Sequence, residues 1–330
     1  MSHACAVRQK RVANARVAGR LVGLALAGAL LAGCEGGVLD PQGPVGEGNR
    51  QILLNSLTVM LVIVVPTIIA ALVFAWWFRA SNSKAKYDPG FTYSGRIELI
   101  VWSIPTLTIL FLGGLIHYGS YQLDPAKPLG PPESTLEVQV VALDWKWLFI
   151  YPDRQVASVN ELVIPVGVPV HFRLTSASVM NVFFVPQLGT MIYAMNGMES
   201  DLHLQADRAG DFYGQGAHYS GAGFPHMNFR VHAVPREKFD PWATQQRVSG
   251  KVLNAETYRE LAQQSIGVAP YTYGQVQPGL FDAIVHQVLP PSPGPGGDGD
   301  SDTQARLLDD NICTTPVTTS EMDFDFSRGG

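Results

Sequence analysis

The sequence predicts a membrane-anchored all-β protein, in which two helices cross a membrane and a β-sandwich or barrel lies outside it. Three observations predict this fold class. Residues 51–78 and 99–123 are apolar and contain no Asp, Glu, Lys or Arg. From about residue 134, apolar residues alternate with polar ones, as they do in half-buried strands. Charged residues make up 15% of the chain, which is low for a soluble protein.

The first 33 residues have the order of a secretory signal. Five basic residues precede an apolar run at residues 21–32, which is too short to span a bilayer. The run ends in LAGC at residues 31–34, which resembles the cleavage box of bacterial lipoproteins. The resemblance implies removal of residues 1–33 and a lipid on Cys34, so that residues 34–50 form a periplasmic segment. An ordinary signal peptide with a chance cysteine is the alternative.

The two apolar stretches are each long enough to cross a bilayer as a tilted helix. The first ends in Trp76, Trp77 and Phe78, and aromatic residues collect at membrane interfaces. The connecting segment, residues 79–98, carries the cations Arg79, Lys84, Lys86 and Arg96. Because Lys and Arg favour the cytoplasmic side, both ends of the hairpin are expected to face the periplasm. Two buried core helices are the alternative reading.

Charge and cysteine content exclude several other classes. The net charge of -5 gives no case for nucleic-acid binding. Three cysteines, Cys5, Cys34 and Cys313, cannot supply a disulfide framework. We find no Ser-His-Asp arrangement, phosphate-binding glycine loop or paired-carboxylate site.

The β domain is expected over residues 134–235. Alternation is clear at residues 135–140, 168–176 and 227–234, with glycine and proline between the runs. A parallel sheet is not expected, because no helical patterns alternate with the strands. Residues 236–289 turn helical, with Asn254 as an N-cap, and residues 290–330 have the composition of a disordered acidic tail.

Residues 212–227, FYGQGAHYSGAGFPHM, resemble a copper-binding loop without most of its ligands. In the second subunit of haem-copper cytochrome oxidases this loop carries Cys, Cys, His and Met. From the shared FYGQ, those positions fall at Gly216, Ser220, Phe224 and Met227. A soft copper pair needs thiolate and imidazole donors, and only the Met remains.

Two further positions agree with this loss of ligands. The resemblance places a copper-binding His where Asn181 stands, and a Glu that lends its backbone carbonyl where His218 stands. All six positions are therefore predicted not to bind metal. Two other metal sites are alternatives: a thioether site of Met191, Met195 and Met198, and a substitute site of His218, His226 and Met227.

The resemblance extends over residues 31–289 and is carried by LAGC, AWWFRASN, AKYDPG, VVALDWKW, NVFFVPQLG, YAMNGM and YSGAGF. The chain resembles subunit II of bacterial cytochrome bo-type ubiquinol oxidases, the quinol branch of the haem-copper oxidase superfamily. This implies a cupredoxin-like Greek-key β-barrel after the two-helix transmembrane hairpin, and a C-terminal helical extension. It also implies the bacterial inner membrane as the location, with the C-terminal domain in the periplasm.

The resemblance implies a non-catalytic subunit of a proton-pumping respiratory complex. Subunit I would hold the haems and copper, oxidise ubiquinol and reduce oxygen to water. This chain would bind no cofactor or metal, and would assemble with subunit I and smaller membrane subunits. A cytochrome c oxidase subunit and a copper-handling membrane lipoprotein are the alternatives.

Three residues receive roles from the same resemblance. Glu98, in RIELIVWSIP, would lie beside a proton entrance of subunit I; a solvated carboxylate at a helix end is the alternative. Trp145 and Trp147, in ALDWKWLFIY, are expected to pack against the neighbouring subunit, because tryptophan offers a large apolar surface.

Overall fold

The computed structural model describes residues 37–86, 88–248 and 250–292. Its first elements are two long helices, α1 (Pro44–Trp77) and α2 (Gly95–Gln122). Their most apolar stretches have mean hydropathies of 2.8 and 2.1, and neither stretch is buried within the chain. At about 1.5 Å per residue, each helix exceeds the roughly 30 Å core of a bilayer. Both helices can therefore span a membrane.

The two helices approach each other closely near the β domain, and glycines allow this. A Cβ atom on Gly119 would lie 2.4 Å from Cδ1 of Ile52. One on Gly48 would lie 2.8 Å from Cδ2 of Leu123. Both distances are far below van der Waals contact, so a larger residue at either position would separate the helices.

The first turn of α1 rests on the β domain, and the helix therefore begins before the predicted residue 51. The backbone N–H of Gln42 donates to the carbonyl of Gln187 at 2.7 Å, and that of Gly46 donates to the carbonyl of Leu188 at 3.0 Å. Val45, between them, is buried. We call this contact the N-terminal clip. The chain is attached a second time after α2, where the N–H of His203 donates to the carbonyl of Pro125 at 2.9 Å.

Among the described residues, thirteen strands follow α2, in two large sheets and one small one. They are β1 (Leu136–Leu143), β2 (Lys146–Tyr151), β3 (Val156–Val159), β4 (Glu161–Pro165), β5 (Val170–Ser176), β6 (Asn181–Phe184), β7 (Ile192–Ala194), β8 (Ser200–Leu204), β9 (Gly210–Gly216), β10 (Asn228–Val234), β11 (Val252–Leu253), β12 (Tyr271–Tyr273) and β13 (Gln275–Val276). The first sheet has the order β12-β3-β2-β1-β5-β8, and the second has the order β4-β10-β9-β6-β7.

Most neighbouring strands are antiparallel, and neither large sheet is a parallel sheet, as expected; each contains one parallel pair. β1 pairs parallel with β5, and β4 pairs parallel with β10. The chain crosses to the other sheet between β3 and β4 and returns at β5, so these parallel neighbours need no connecting helix.

The main core lies between the two large sheets and is centred on aromatic rings. Phe183 from β6 stacks on Phe229 from β10 at 5.2 Å between ring centroids. Trp147 and Phe149, both from β2, meet the Phe229 ring at 5.7 and 5.1 Å. All four side chains are at most 2% exposed. These rings join the two sheets into one domain.

The described part of the C-terminal extension contains three helices, α3 (Arg236–Arg247), α4 (Ala255–Leu261) and α5 (Leu280–Val285). As expected, Asn254 caps α4: its side-chain oxygen accepts from the N–H of Thr257 at 2.9 Å. The extension is less purely helical than expected, because it also contains β11, β12 and β13. β12 joins the first sheet beside β3, with Tyr271 opposite Val159. The sequence pattern of the extension is dominated by the polar faces of its helices, so these short strands were not predicted.

The extension covers the outer face of the first sheet and builds a second hydrophobic core there. The sheet contributes apolar side chains such as Val141, Leu148 and Ile150, and the extension contributes others such as Tyr258 and Phe281. Ser292, the last described residue, is still attached, since its N–H donates to the carbonyl of Ala177 at 3.0 Å. The predicted signal, Cys34 and the tail beyond Ser292 lie outside the described residues.

Candidate functional site

Three of the positions predicted to lack copper ligands lie close together at residues 216–227, between β9 and β10, which we call the degenerate loop. The N–H of Gly216 donates to the carbonyl of Met227 at 2.9 Å. A Cβ atom on Gly216 would lie 3.3 Å from the Met227 sulfur. The hydroxyl of Ser220 contacts the same sulfur at 3.8 Å. Met227 is 1% exposed and Ser220 is 6% exposed, so they lie in the interior.

Asn181 reaches this loop from β6 and is 1% exposed. The register of β6 with β9 pairs Phe183 with Gly216, and the N–H of Ala217 donates to the carbonyl of Val182 at 3.0 Å. The Asn181 side-chain N–H donates to the carbonyl of Val179 at 3.1 Å, and its side-chain oxygen has no hydrogen-bond partner among the described residues. A polar group thus remains in a buried position beside the loop.

Phe224 and His218 lie nearer the surface and are half-buried. The Phe224 ring packs edge-on against Tyr219 at 5.7 Å, and the His218 ring packs edge-on against Tyr193 at 6.2 Å. Both side chains are therefore occupied by aromatic contacts at the edge of the loop.

The donors at this site do not fit a copper pair. Asn181 supplies an amide, Ser220 a hydroxyl and Met227 a thioether, while Gly216 and Phe224 supply no donor atom. Copper of this kind binds thiolate and imidazole. Among the described residues, His, Cys, Asp and Glu side chains form no group of three or more that could hold a metal ion.

The two alternative metal sites gain no support from the side-chain positions. Met191 and Met198 are 55% and 53% exposed, and the backbone carbonyl of Met195 accepts from the N–H of Ser176. His226 is exposed, whereas Met227 beside it is buried. The methionine segment is bonded to Ser176 through its backbone, not through its sulfur atoms. His226 lies at the surface and Met227 in the interior, so the two side chains are separated.

Trp145 and Trp147 are buried within the domain, so the expected packing on a neighbouring subunit is wrong. They are 1% and 0% exposed. The Trp145 indole N–H donates to the carbonyl of Ser220 at 3.0 Å, and its ring lies so close to Gly223 that a Cβ there would be 2.2 Å away. Trp147 packs edge-on against Phe183 at 5.5 Å. Trp145 therefore supports the loop from inside, and Trp147 fills the main core.

The buried pair Asp144 and Lys146, which the sequence analysis missed, flanks Trp145. They are 2% and 1% exposed. The Lys146 ammonium donates to the carbonyl of Gln263 at 2.6 Å and to the hydroxyl of Ser265 at 2.5 Å, both in the extension. Burial lowers the pKa of Lys146 to about 8, against the opposing charge of Asp144. Charged residues at a strand turn normally indicate solvent exposure, so their burial could not be predicted from the residues around them.

Asp144 connects this turn to a third segment. Burial raises its pKa; hydrogen bonds from Ser178 and Gln264, and the charge of Lys146, oppose the rise. The Ser178 hydroxyl donates to an Asp144 oxygen, and Ser178 lies just before β6. Residues 144–146 thus contact three other segments: Asp144 contacts the segment before β6, Trp145 the degenerate loop, and Lys146 the extension. We call residues 144–146 the turn triad.

Glu98 lies in the first turn of α2 and is exposed, at the end of the helix opposite the β domain. Its backbone N–H donates to the carbonyl of Ser94 at 3.0 Å. No described contact involves its carboxylate, so the side chain is open to solvent or to another subunit.

Known families match both parts of the chain that follow the helices. Residues 134–234 match the family model for the periplasmic domain of cytochrome c oxidase subunit II, and residues 247–292 match that of the COX aromatic rich motif. Ubiquinol oxidase subunit 2 of Acetobacter aceti is 49% identical over 273 residues, covering 82% of this chain and 88% of its own. The chain belongs to the ubiquinol oxidase subunit 2 family.

Other members of the ubiquinol oxidase subunit 2 family agree. Cytochrome bo(3) ubiquinol oxidase subunit 2 of Pseudomonas putida is 45% identical and covers 78% of this chain and 82% of its own. Quinol oxidase subunit 2 of Bacillus cereus is 34% identical and covers 72% and 82%. The predicted family is confirmed, and so is the fold class of two apolar helices before a cupredoxin-like domain. These names favour a quinol oxidase over a cytochrome c oxidase, in agreement with the degenerate loop. The helices and the periplasmic-type domain fit an inner-membrane protein.

Proposed function

We propose that this chain is a non-catalytic subunit of a proton-pumping ubiquinol oxidase, and that the haems and copper belong to subunit I. The observation that carries the proposal is the donor set of the degenerate loop. Met227 keeps its sulfur in the interior, but Gly216 and Ser220 supply no thiolate beside it. Electrons from a membrane quinol can enter subunit I directly, so no copper relay is required in this domain.

The chain's contribution is proposed to be assembly. Helices α1 and α2 expose apolar side chains along their lengths, such as Leu72, Leu107 and Ile109 at 66%, 65% and 70%. In a bilayer, such surfaces suit both lipid and the helices of subunit I and the smaller membrane subunits. The N-terminal clip then holds the β domain at the periplasmic end, where it would cap subunit I.

Purification of the intact complex tests the proposal. We expect ubiquinol to drive oxygen uptake and reduced cytochrome c to drive none. We also expect a multi-span haem subunit to co-purify, and copper analysis to find only the copper of subunit I. A cytochrome c-driven rate comparable to the ubiquinol-driven rate would contradict the proposal, as would a copper-loaded chain purified without a haem subunit.

Glu98 is proposed to assist proton entry from the cytoplasmic side. Its exposed position in the first turn of α2 supports this, because a carboxylate at a channel mouth raises the local proton concentration. Glu98→Gln is expected to slow ubiquinol-driven oxygen uptake several-fold, and Glu98→Asp should restore most of the rate. Glu133→Gln, which removes an exposed carboxylate in the turn just before β1, is the matched control. Equal rates for Glu98→Gln and this control would contradict the role.

Lipid attachment at Cys34 is also proposed, from the LAGC sequence. It would add a second anchor beside the two spans. The mass of the N-terminal peptide of the mature chain measures this directly, and an unmodified Cys34 or a different first residue would rule it out.

A further inference from the structure

A cleft at the end of α1 farthest from the β domain combines cations with aromatic rings. Its volume is about 540 Å³, and its lining includes Phe78, Arg79, Asn82, Lys86 and Phe91. Phe78 and Phe91 are 58% and 63% exposed. A surface with both characters suits a ligand that has a charged group and an apolar part.

Arg79 is held in place but keeps unused hydrogen-bond donors. Its Nε donates to the Ser81 hydroxyl at 3.0 Å, and its Nη1 donates to the carbonyl of Trp76 at 3.1 Å. The guanidinium carbon lies 4.8 Å from the centroid of the Trp76 ring. These bonds use two of its five N–H groups, so three are available to an anion.

The positive charge of the cleft is not neutralised by ion pairs. Among the described residues, neither Arg79 nor Lys86 forms a salt bridge. One carboxylate, Asp88, is among the described residues that line the cleft, so the two cations leave an excess of positive charge. An anionic group is therefore the ligand that this charge favours.

The position of the cleft identifies the source of that anion. α1 ends with Trp76 and Trp77, 62% and 44% exposed, and such aromatic residues mark the headgroup level of a bilayer. Under the proposed topology this level is that of the cytoplasmic leaflet, where anionic lipids attract basic segments.

We propose that this cleft binds an anionic phospholipid of the cytoplasmic leaflet, with its phosphate at Arg79 and Lys86. The glycerol and upper acyl carbons would lie against Phe78 and Phe91. This lipid site is independent of the proposed oxidase function and depends only on the membrane topology. A lipid bound here would seal the loop between the two spans to the membrane surface.

Native mass spectrometry of the purified complex, titrated with phosphatidylglycerol and separately with phosphatidylcholine, tests the proposal. The wild-type complex is expected to prefer phosphatidylglycerol, and the double variant Arg79→Gln/Lys86→Gln to bind it roughly 30-fold more weakly. The matched control is Lys84→Gln/Arg96→Gln, which removes the same charge from the same end of the hairpin, from the loop and the first turn of α2, outside the lining of the cleft. We expect that control to keep most of the affinity.

Equal weakening in both double variants would overturn the site, because it would show that only the total charge of the loop matters. Equal binding of the two lipids by the wild type, or displacement of phosphatidylglycerol by excess inorganic phosphate, would overturn the lipid as its occupant. Haem content checks assembly of each variant; if the double variant fails to assemble, Lys86→Gln alone should still weaken binding several-fold. Ubiquinol-driven oxygen uptake is measured separately, so loss of the lipid is distinguishable from failure of the proposed oxidase function.

Discussion

Replacing Asn181 and Phe224 by histidine, and Gly216 and Ser220 by cysteine, is expected to create a purple copper centre in the β domain. With Met227, these changes restore the thiolate, imidazole and thioether donors that bind soft copper. The structure places the sulfur of Met227 3.3 Å from the Cβ position of residue 216 and 3.8 Å from the hydroxyl of residue 220. The two new thiolates would therefore lie beside the existing thioether.

Two features of the site favour a folded product. Position 181 already holds a buried polar side chain whose oxygen lacks a partner among the described residues. Histidine there would replace one buried polar group by another, so the number of buried polar side chains would not change. The contact at Gly216 is tight, but the neighbour that must move is the flexible end of Met227. Absorbance and elemental analysis of the purified variant measure the outcome.

The matched control carries Asn181→His and Phe224→His, leaves Ser220 unchanged, and has Gly216→Ser in place of the cysteine. It reproduces the shape of the site without thiolates, and we expect it to bind copper far more weakly and to stay colourless. If the variant with all four substitutions folds but stays colourless at saturating copper, the hypothesis that the loop is a former copper site is contradicted.

Lys146→Met is expected to destabilise the β domain by roughly 2 kcal/mol at neutral pH, because it leaves the Gln263 carbonyl and the Ser265 hydroxyl without their charged donor and removes the positive charge near Asp144. Replacing both residues, as Asp144→Asn/Lys146→Met, should recover part of that loss, since the neutral amide does not need the nearby positive charge. Urea unfolding of the purified chain, followed by the near-ultraviolet circular dichroism of its buried tryptophans, measures the difference. A double variant no more stable than Lys146→Met would show that the two charges do not stabilise each other.

The same lysine predicts how stability depends on pH. The pKa of Lys146 is about 8 in the folded domain, below its ordinary value of 10.5. Between these values the unfolded chain binds more protons, so the free energy of unfolding rises with pH, by up to about 3 kcal/mol from this group. Lys146→Met should lack this rise. A difference between the two curves that stays constant from pH 8 to pH 10.5 would contradict the burial of the charged amine.

The repeating patterns of the sequence were sufficient to predict the spans, the β domain and the Asn254 cap. Each depends on residues close together in the chain, and their spacing states which face is apolar. The interpretation of residues 216–227 as a degenerate copper loop rests on the family resemblance, which states the donor expected at each position, and it stays a prediction. Trp145 and Trp147 were misassigned, since their burial depends on contacts with Ser220 and Phe183, which lie far along the chain.

The buried charges and the short strands were beyond prediction for a related reason. Lys146 is covered by Gln263 and Ser265, more than a hundred residues later, and nothing in the residues around it indicates that cover. β12 has only three residues and pairs with β3 through the fold of the whole extension. The parallel pairing of β1 with β5 likewise follows from the path of the chain between sheets, which local alternation does not encode.

The N-terminal clip has a consequence for how the complex forms. Backbone bonds from Gln42 and Gly46 before and within α1, and from His203 to the linker after α2, leave the domain no free hinge to the hairpin. Ordering a hinge during association would cost binding free energy, and here folding has already removed that freedom. If the hairpin inserts beside subunit I as proposed, the β domain reaches that subunit in one orientation. Packing of the helices within the bilayer would then decide which surface of the β domain the partner contacts.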